Sequence, residues 1–284
     1  MTAAADRSAV GPSGVRKHLR ACAAAFTFLT RLPLFGLANH DPGDLARSAP
    51  WFPLVGVAVA VVGGIVYAAA ASLWSPLLAI ILSVAATVWM TGAFHEDALA
   101  DAFDGFGGGW NTAQVLAIMK DSRVGAYALV GVVFVLAVKI AALHAMAVAT
   151  SGDDGAIRGG VMAVGRALLA AHVLARWSSV PLIRAYRYVR IAAEGERPSA
   201  GRPFVESVTT GQVVGATLLA LVIVVGVLQQ AAIAPIIVAL IVTAVAGRYF
   251  DRRIGGITGD ALGAANQAVE AAVYLTLAAH WALG

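Results

Sequence analysis

The sequence predicts an all-α protein: a polytopic transmembrane helical bundle of about six to seven spans, with an N-terminal amphipathic or re-entrant helix. Three observations carry this. Of the 284 residues, 60% are hydrophobic and only 13% are charged, where an ordinary soluble domain is about 25% charged. Mean hydropathy is +0.80, more apolar surface than one globular core can hide. Uncharged runs also approach, again and again, the roughly 20 residues that cross a hydrocarbon core of about 30 Å. A cytosolic globular domain, a disordered chain and a disulfide scaffold are excluded. The single cysteine, Cys22, cannot form an intrachain disulfide. The net charge of +4 fits basic loops beside anionic lipid headgroups, so the lipid bilayer is the expected partner and nucleic acid is not.

Residues 1–16 are small and polar, with Gly11, Pro12 and Gly14, and read as a mobile tail. Residues 17–284 then form one integral membrane domain. Arg16, Lys17 and Arg20 precede the apolar stretch Ala21 to Thr30, and no small-residue cleavage site follows; residues 17–38 therefore read as the amphipathic or re-entrant helix. Trp51 to Trp74 and Leu77 to Phe94 are uncharged and separated only by Ser75-Pro76, a tight helical hairpin. Further spans are expected over Val124 to Thr150, Val161 to Ile183, Gln212 to Leu228, Ala231 to Tyr249 and Ala261 to Leu283. With the N-terminus inside, 16 of the 20 Lys and Arg residues fall in alternate segments 1–50, 95–123, 184–211 and 248–260. The positive-inside rule then places those segments in the cytoplasm. No internal repeat is present.

Chemistry concentrates at three places. His95, Glu96, Asp97, Asp101 and Asp104 follow the second span directly, and no Lys or Arg occurs between Arg47 and Lys120. If that span continues as a helix, Asp97, Asp101 and Asp104 stand at i, i+4 and i+7 on one face. Like charges so spaced destabilise a helix by about 0.2–0.5 kcal/mol per pair, and a cation is expected there. Mg²⁺ suits carboxylates shared with phosphate oxygens, whereas Zn²⁺ asks for Cys or more His. Gly105, Gly107, Gly108 and Gly109 come next; they are expected to stop the helix, and the N–H groups of Gly107 and Gly108 could approach an anion. A solvated acidic loop and a flexible turn are the plainer readings. The second place is Lys120, Asp121, Ser122 and Arg123, whose cations could grip phosphate or merely anchor the third span; the anchor gives no reason for Asp121. The third is Gly255 to Asp260, followed by Asn266 and Glu270 at i, i+4. Glu270 lies deep enough in its span to need a partner, for which Lys139, Arg166 and Arg176 are available.

These stretches, as they stand here, are Thr27 to Pro33, Phe52 to Gly56, His95-Glu-Asp-Ala-Leu-Ala-Asp-Ala-Phe-Asp-Gly105, Ile118 to Gly125 and Gly255 to Ala264. In that order the chain resembles the cobalamin synthase family, the membrane-bound adenosylcobinamide-GDP ribazoletransferases late in vitamin B12 biosynthesis. The family's acidic pattern is approximately His-Leu-Asp-Gly-Leu-Ala-Asp-Thr-x-Asp-Gly; here Glu96, Ala98 and Ala102 depart from it. The resemblance implies an enzyme of the inner membrane with its site toward the cytoplasm. It would transfer a cobinamide phosphoryl group to α-ribazole, or α-ribazole 5′-phosphate, with release of GMP and a requirement for Mg²⁺. It further implies metal ligation by Asp97, Asp101 and Asp104 and stabilisation of the leaving GMP by Lys120 and Arg123. His95, Asp121 and Asp260 are the candidate bases, and Gly107, Gly108, Ser122, Asn266 and Glu270 are candidate binding residues. Homo-oligomerisation is left open. The alternative is another membrane transferase acting on a diphosphate, such as a CDP-alcohol phosphotransferase. Its motif Asp-x2-Asp-Gly-x2-Ala-Arg wants an arginine where Asp101-x2-Asp104-Gly105 is followed by Phe and three glycines. A transporter would hold its acids near mid-membrane.

Overall fold

The computed structural model describes residues 14–32, 34, 42–150, 156–189 and 207–283. The tail expected at 1–16 lies outside them as far as residue 13. Helix α1 (Gly14–Leu29) begins three residues ahead of the expected boundary. It is short and lies against α2 (Pro42–Ala46) and the one-turn 3₁₀ segment Ala49–Trp51 that leads into the bundle. Arg20 Nε donates to Asp44 Oδ2 at 2.7 Å and Arg47 to Asp44 Oδ1 at 2.8 Å, so one nearly buried carboxylate fastens α1 to α2.

The rest is α3 (Phe52–Ala71), α4 (Pro76–Thr91), α5 (Phe94–Gly108), α6 (Thr112–Met119), α7 (Ala126–Ala149), α8 (Ala156–Ala185), α9 (Thr210–Leu228), α10 (Ile233–Ile254) and α11 (Gly259–Leu283). Small residues set the packing, as they do where lipid supplies no hydrophobic drive between helices. A Cβ on Gly56 of α3 would stand 2.4 Å from the His172 carbonyl oxygen of α8, so these two backbones touch. Gly63 abuts Thr87, and its carbonyl accepts the Ser83 hydroxyl at 2.8 Å, closing the α3–α4 hairpin. Gly160 at the start of α8 abuts both Tyr67 at the end of α3 and Ala147 at the end of α7; α8 is thus antiparallel to both.

The chain reverses direction between α9 and α10, and both pack on α8. Thr217 accepts the Trp177 indole N–H at 2.9 Å, while Gly247 packs on Leu182 and Tyr186. Thirty helical residues would separate 217 from 247 by about 45 Å, yet their partners on α8, Trp177 and Leu182, are little more than a turn apart. The reversal lies at the 3₁₀ turn Gln229–Ala232, opened by Gln229 at φ 52°.

The outcome is a bundle with two ends. One gathers the starts of α3, α7, α9 and α11, the ends of α1, α4, α8 and α10, and all of α5 and α6; the other holds the ends of α3, α7 and α9 and the starts of α4, α8 and α10. The expected spans match α3, α4 and α7 to α11 within a few residues, except at the start of α8 and the end of α10. By length and composition alone, α3, α7 and the α9–α10 pair qualify to cross a membrane, with α4 and α5 together as a fourth. Helices α8 and α11 are not among these, and both carry the buried polar and charged groups described below.

Two expectations fail. The second span does not continue into the acidic segment: Gly92 and Ala93 are both left-handed (φ 69° and 58°), and α5 turns 89° from α4. Nor does the glycine run end the helix at once, since α5 holds through Gly108 and stops at Gly109. The glycines admit neighbours instead: Gly105 receives Met119 and Gly107 receives the Tyr127 ring.

Candidate active site

Turned across the end of the bundle, α5 keeps Asp97, Asp101 and Asp104 on one face, Asp97 exposed and the other two half-buried. The first turn of α11 brings a fourth acid. Gly263 packs so closely on Ala98 that an added Cβ would stand 2.3 Å from the alanine's own, and this sets Asp260 beside the α5 face. Thr258 caps the helix there, its hydroxyl accepting the Ala261 N–H at 3.1 Å. Asp101 lies between the expected spans 77–94 and 124–150, and Asp260 just ahead of 261–283. Burial, then the charges of Asp97 and Asp104, push the Asp101 carboxyl up to about 6; burial, then Asp101 and Asp97, push Asp260 up to about 6. The neighbours acting on each are carboxylates.

Asp104 has a further duty. Its Oδ2 accepts the Gly125 N–H at 2.6 Å and its Oδ1 the Ala128 N–H at 2.9 Å, so it satisfies amides that the first turn of α7 leaves open. This joins the acidic helix to the Lys120–Arg123 turn, which ends two residues before Gly125. Within the turn Arg123 grips Asp121: Nη2 to Oδ2 is 2.6 Å and Nε to Oδ1 is 3.0 Å. The guanidinium hydrogen bonds hold the Asp121 carboxyl down at about 2. Asp121, which a topological anchor left unexplained, is the ion-pair partner of Arg123. Lys120, Ser122 and Arg123 are all exposed.

A second cation went unnoticed in the sequence. Arg253 Nη2 donates to the Gly109 and Phe106 carbonyls at 2.9 and 3.2 Å, and Thr112 Oγ1 donates to the Arg253 carbonyl at 3.0 Å. The end of α10 therefore caps the end of α5, and segments 95–123 and 248–260 lie side by side. Gly256 (φ 152°) meets residue 187 backbone to backbone, and Ile257 pairs with that strand-like stretch, its N–H donating to the Arg187 carbonyl at 2.9 Å and its carbonyl accepting the Val189 N–H at 2.8 Å.

Other expected site residues lie elsewhere. Gly107 and Gly108 sit at the far end of α5 with their amides inside a helix, so they form no anion cradle. His95, Asn266 and Glu270 point into the bundle and do not reach the acidic face; all three are buried. Glu270 is paired there: Lys139 Nζ is 3.0 Å from Oε1, and His172 Nδ1 and Arg176 Nη1 are 3.4 and 3.9 Å from Oε2. Lys139 also bonds Gln267. Two of the three partners expected for Glu270 are thus found, and Arg166 is not among them. His172, which faces Glu270, and Gln267, which faces Lys139, were missed because nothing in a linear pattern marks neutral polar residues as members of an ion cluster. Glu96, off the aspartate face, is mostly buried, and its Oε2 has no hydrogen-bond partner; neither have His95 Nδ1, His172 Nε2, Arg176 Nε or the Asn266 amide.

Among the described residues no three His, Cys, Asp or Glu side chains are arranged to hold a metal ion as they stand. Mg²⁺, however, keeps several waters and takes one or two carboxylates together with substrate phosphates. The mutually repelling, all-oxygen set Asp97, Asp101 and Asp260 fits that demand; Asp104 has both oxygens engaged.

A family model described as cobalamin-5-phosphate synthase matches residues 21–278. The chain is 34% identical over 270 residues to a protein of Shewanella amazonensis, covering 95% of this chain and 98% of that one. It is 39% identical over 264 residues to one of Leptothrix cholodnii (90% and 94%) and 35% identical over 268 residues to one of Ralstonia nicotianae (94% and 98%). All three are named adenosylcobinamide-GDP ribazoletransferase. No solved structure matches the chain. With the matched region spanning all of the helices that build the acidic face, the chain belongs to the cobalamin-5-phosphate synthase family.

Proposed function

We propose that this chain is an Mg²⁺-dependent adenosylcobinamide-GDP ribazoletransferase that joins the cobinamide phosphoryl group to α-ribazole, or its 5′-phosphate, and releases GMP. What supports this, beyond family membership, is the tie from Asp104 to Gly125. It puts a carboxylate set and a basic turn, the two charge types a diphosphate substrate needs, at one end of the bundle.

Asp97 and Asp101 would hold Mg²⁺, which when bound would supply positive charge to the diphosphate. The chain's own groups do the rest. The ribazole hydroxyl oxygen forms the new bond to the cobinamide-side phosphorus while the bond from that phosphorus to the GMP oxygen breaks. Of the three candidate bases we assign the hydroxyl proton to Asp260, which stands beside Asp101 and Asp97; His95 does not reach the acidic face, and Asp121 lies in the exposed turn with Arg123. Arg123, exposed and able to exchange Asp121 for a phosphate, steadies the charge gathering on GMP. We read α3, α4 and α7 to α11 as seven spans of the inner membrane with the acidic end in the cytoplasm, following the distribution of basic residues.

The deciding experiment is GMP release by membranes supplied with adenosylcobinamide-GDP and α-ribazole, with and without Mg²⁺. Release of CMP from a CDP-alcohol and none from cobinamide-GDP would overturn the reading. Arg123→Lys keeps the charge and loses the fork, and should lower turnover at least tenfold at normal insertion; turnover within twofold of wild type makes Arg123 an anchor only. A cysteine at Asn111 in a Cys22→Ser background should label from the cytoplasmic side.

A further inference from the structure

Behind the acidic end, where α1, α3, α5, α8 and α11 meet, lies a cavity of about 90 Å³ as measured by the space open to water centres. A single water needs about 10–15 Å³ on that measure, so the space takes something the size of a small bicyclic ring. Its walls include Phe28, Phe52, Phe94, His95 and Ser179, with Gly259 at the α11 end. The rings are already arranged for stacking. Phe28 is stacked on Phe52 at 6.3 Å and 19°, and Phe94 meets both Phe28 and His95 edge-on at 5.7 and 5.3 Å. Phe28 and Phe94 remain 36% and 44% exposed. His95 is 3% exposed, and its Nδ1 has no hydrogen-bond partner, a vacancy that costs about 1–3 kcal/mol unless something fills it. Gly259 is the neighbour of Asp260, so one end of the cavity borders the acidic face.

We propose that this cavity receives the aromatic base of the ribazole nucleoside. The inference rests on the transferase reading above and adds to it the seat of the accepting substrate. A ribazole base is a planar bicycle with one unsubstituted ring nitrogen, which is an acceptor. The phenylalanine rings take its faces and edges, and His95, protonated at Nδ1, donates to the nitrogen. The ribose then leaves the cavity past Gly259, which carries its hydroxyl toward Asp260. His95 is on this account a binding residue and not the base, and Phe28 gives the otherwise peripheral α1 a part in the site.

The test is steady-state kinetics in membranes, with α-ribazole and adenosylcobinamide-GDP varied in turn. Bare benzimidazole should inhibit competitively against α-ribazole and not against adenosylcobinamide-GDP. Phe94→Ala, which removes a wall, and Ser179→Leu, which fills the space, should each raise KM for α-ribazole at least tenfold and leave KM for adenosylcobinamide-GDP within twofold. Insertion is checked for both variants. If benzimidazole does not inhibit, or if both variants keep the ribazole KM within twofold, the cavity is not the base site; a shift in the cobinamide KM alone would assign it to the other substrate. Should wild-type membranes release no GMP, the transferase reading itself fails. Retention of radiolabelled benzimidazole by wild-type membranes, and its loss in Ser179→Leu, then still tests the cavity.

Discussion

Asp101 and Asp260 carry the clearest electrostatic signature at the acidic end, since burial and neighbouring carboxylates raise each to about 6 from the ordinary value near 3.8–3.9. A carboxyl whose folded pKa lies above its unfolded one adds stability at pH below about 4 and loses it as pH rises through about 6. The metal-free protein in detergent should therefore gain more melting temperature from Mg²⁺ at pH 7.5 than at pH 5, where protons already relieve the repulsion; an equal gain at both would show that the cation binds elsewhere. Glu96 makes the opposite case. The family pattern has an apolar residue there, and this chain buries a carboxylate with an unpartnered oxygen. Glu96→Leu should stabilise the protein, because a buried carboxyl oxygen without a hydrogen bond is costly, and leave GMP release near wild type. A large loss of release would mean that Glu96 takes part in the chemistry. The spacing of Asp97, Asp101 and Asp104 was legible in the sequence, because i, i+4, i+7 places residues on one face wherever the helix points. The capping role of Asp104 was not, because its partners are amides 21 and 24 residues away.

At the scale of elements, the break between α4 and α5 decides where the acids face. Two successive left-handed residues turn the chain by 89°; Gly92 adopts that conformation without strain, whereas Ala93 bears a cost of about 1–2 kcal/mol for its Cβ. Ala93→Gly should relieve part of that strain, offset by the extra freedom glycine has in the unfolded chain, and so should leave stability unchanged or raise it by up to about 1 kcal/mol. Urea or thermal unfolding in detergent measures this, and a loss beyond 1 kcal/mol would mean that the Ala93 methyl packs against something essential. The helices were legible from uncharged runs of bilayer length and from the alternation of basic segments. The bend was not, since hydropathy continues smoothly from Trp89 to Phe94. The glycine run misled for a related reason: glycine permits a helix end, but it equally permits the close seats of Met119 and Tyr127 that let α5 continue.

Across the whole molecule the buried ion cluster is the joint between helices. Lys139 comes from α7, His172 and Arg176 from α8, and Gln267 and Glu270 from α11, all beneath the α5 residues His95 and Glu96. The sequence allowed Lys139 and Arg176 as partners for Glu270 because a carboxylate that deep needs one; which helix supplied each depended on tertiary packing that no linear pattern encodes. Glu270 is the hub, being the acid on which three basic groups converge, and the expected losses follow from that. Glu270→Leu leaves Lys139 and Arg176 buried near one another without their counter-charge, and removing one member of such a set costs about 3–5 kcal/mol. Lys139→Met leaves Glu270 with His172 and Arg176 and should cost clearly less. Unfolding of both variants in matched detergent, each normalised to its inserted amount, provides the comparison. A Lys139→Met loss as large as that of Glu270→Leu would place the energetic centre on the Lys139–Gln267 contact between α7 and α11, and would demote the three-helix convergence on Glu270 to a by-product of packing.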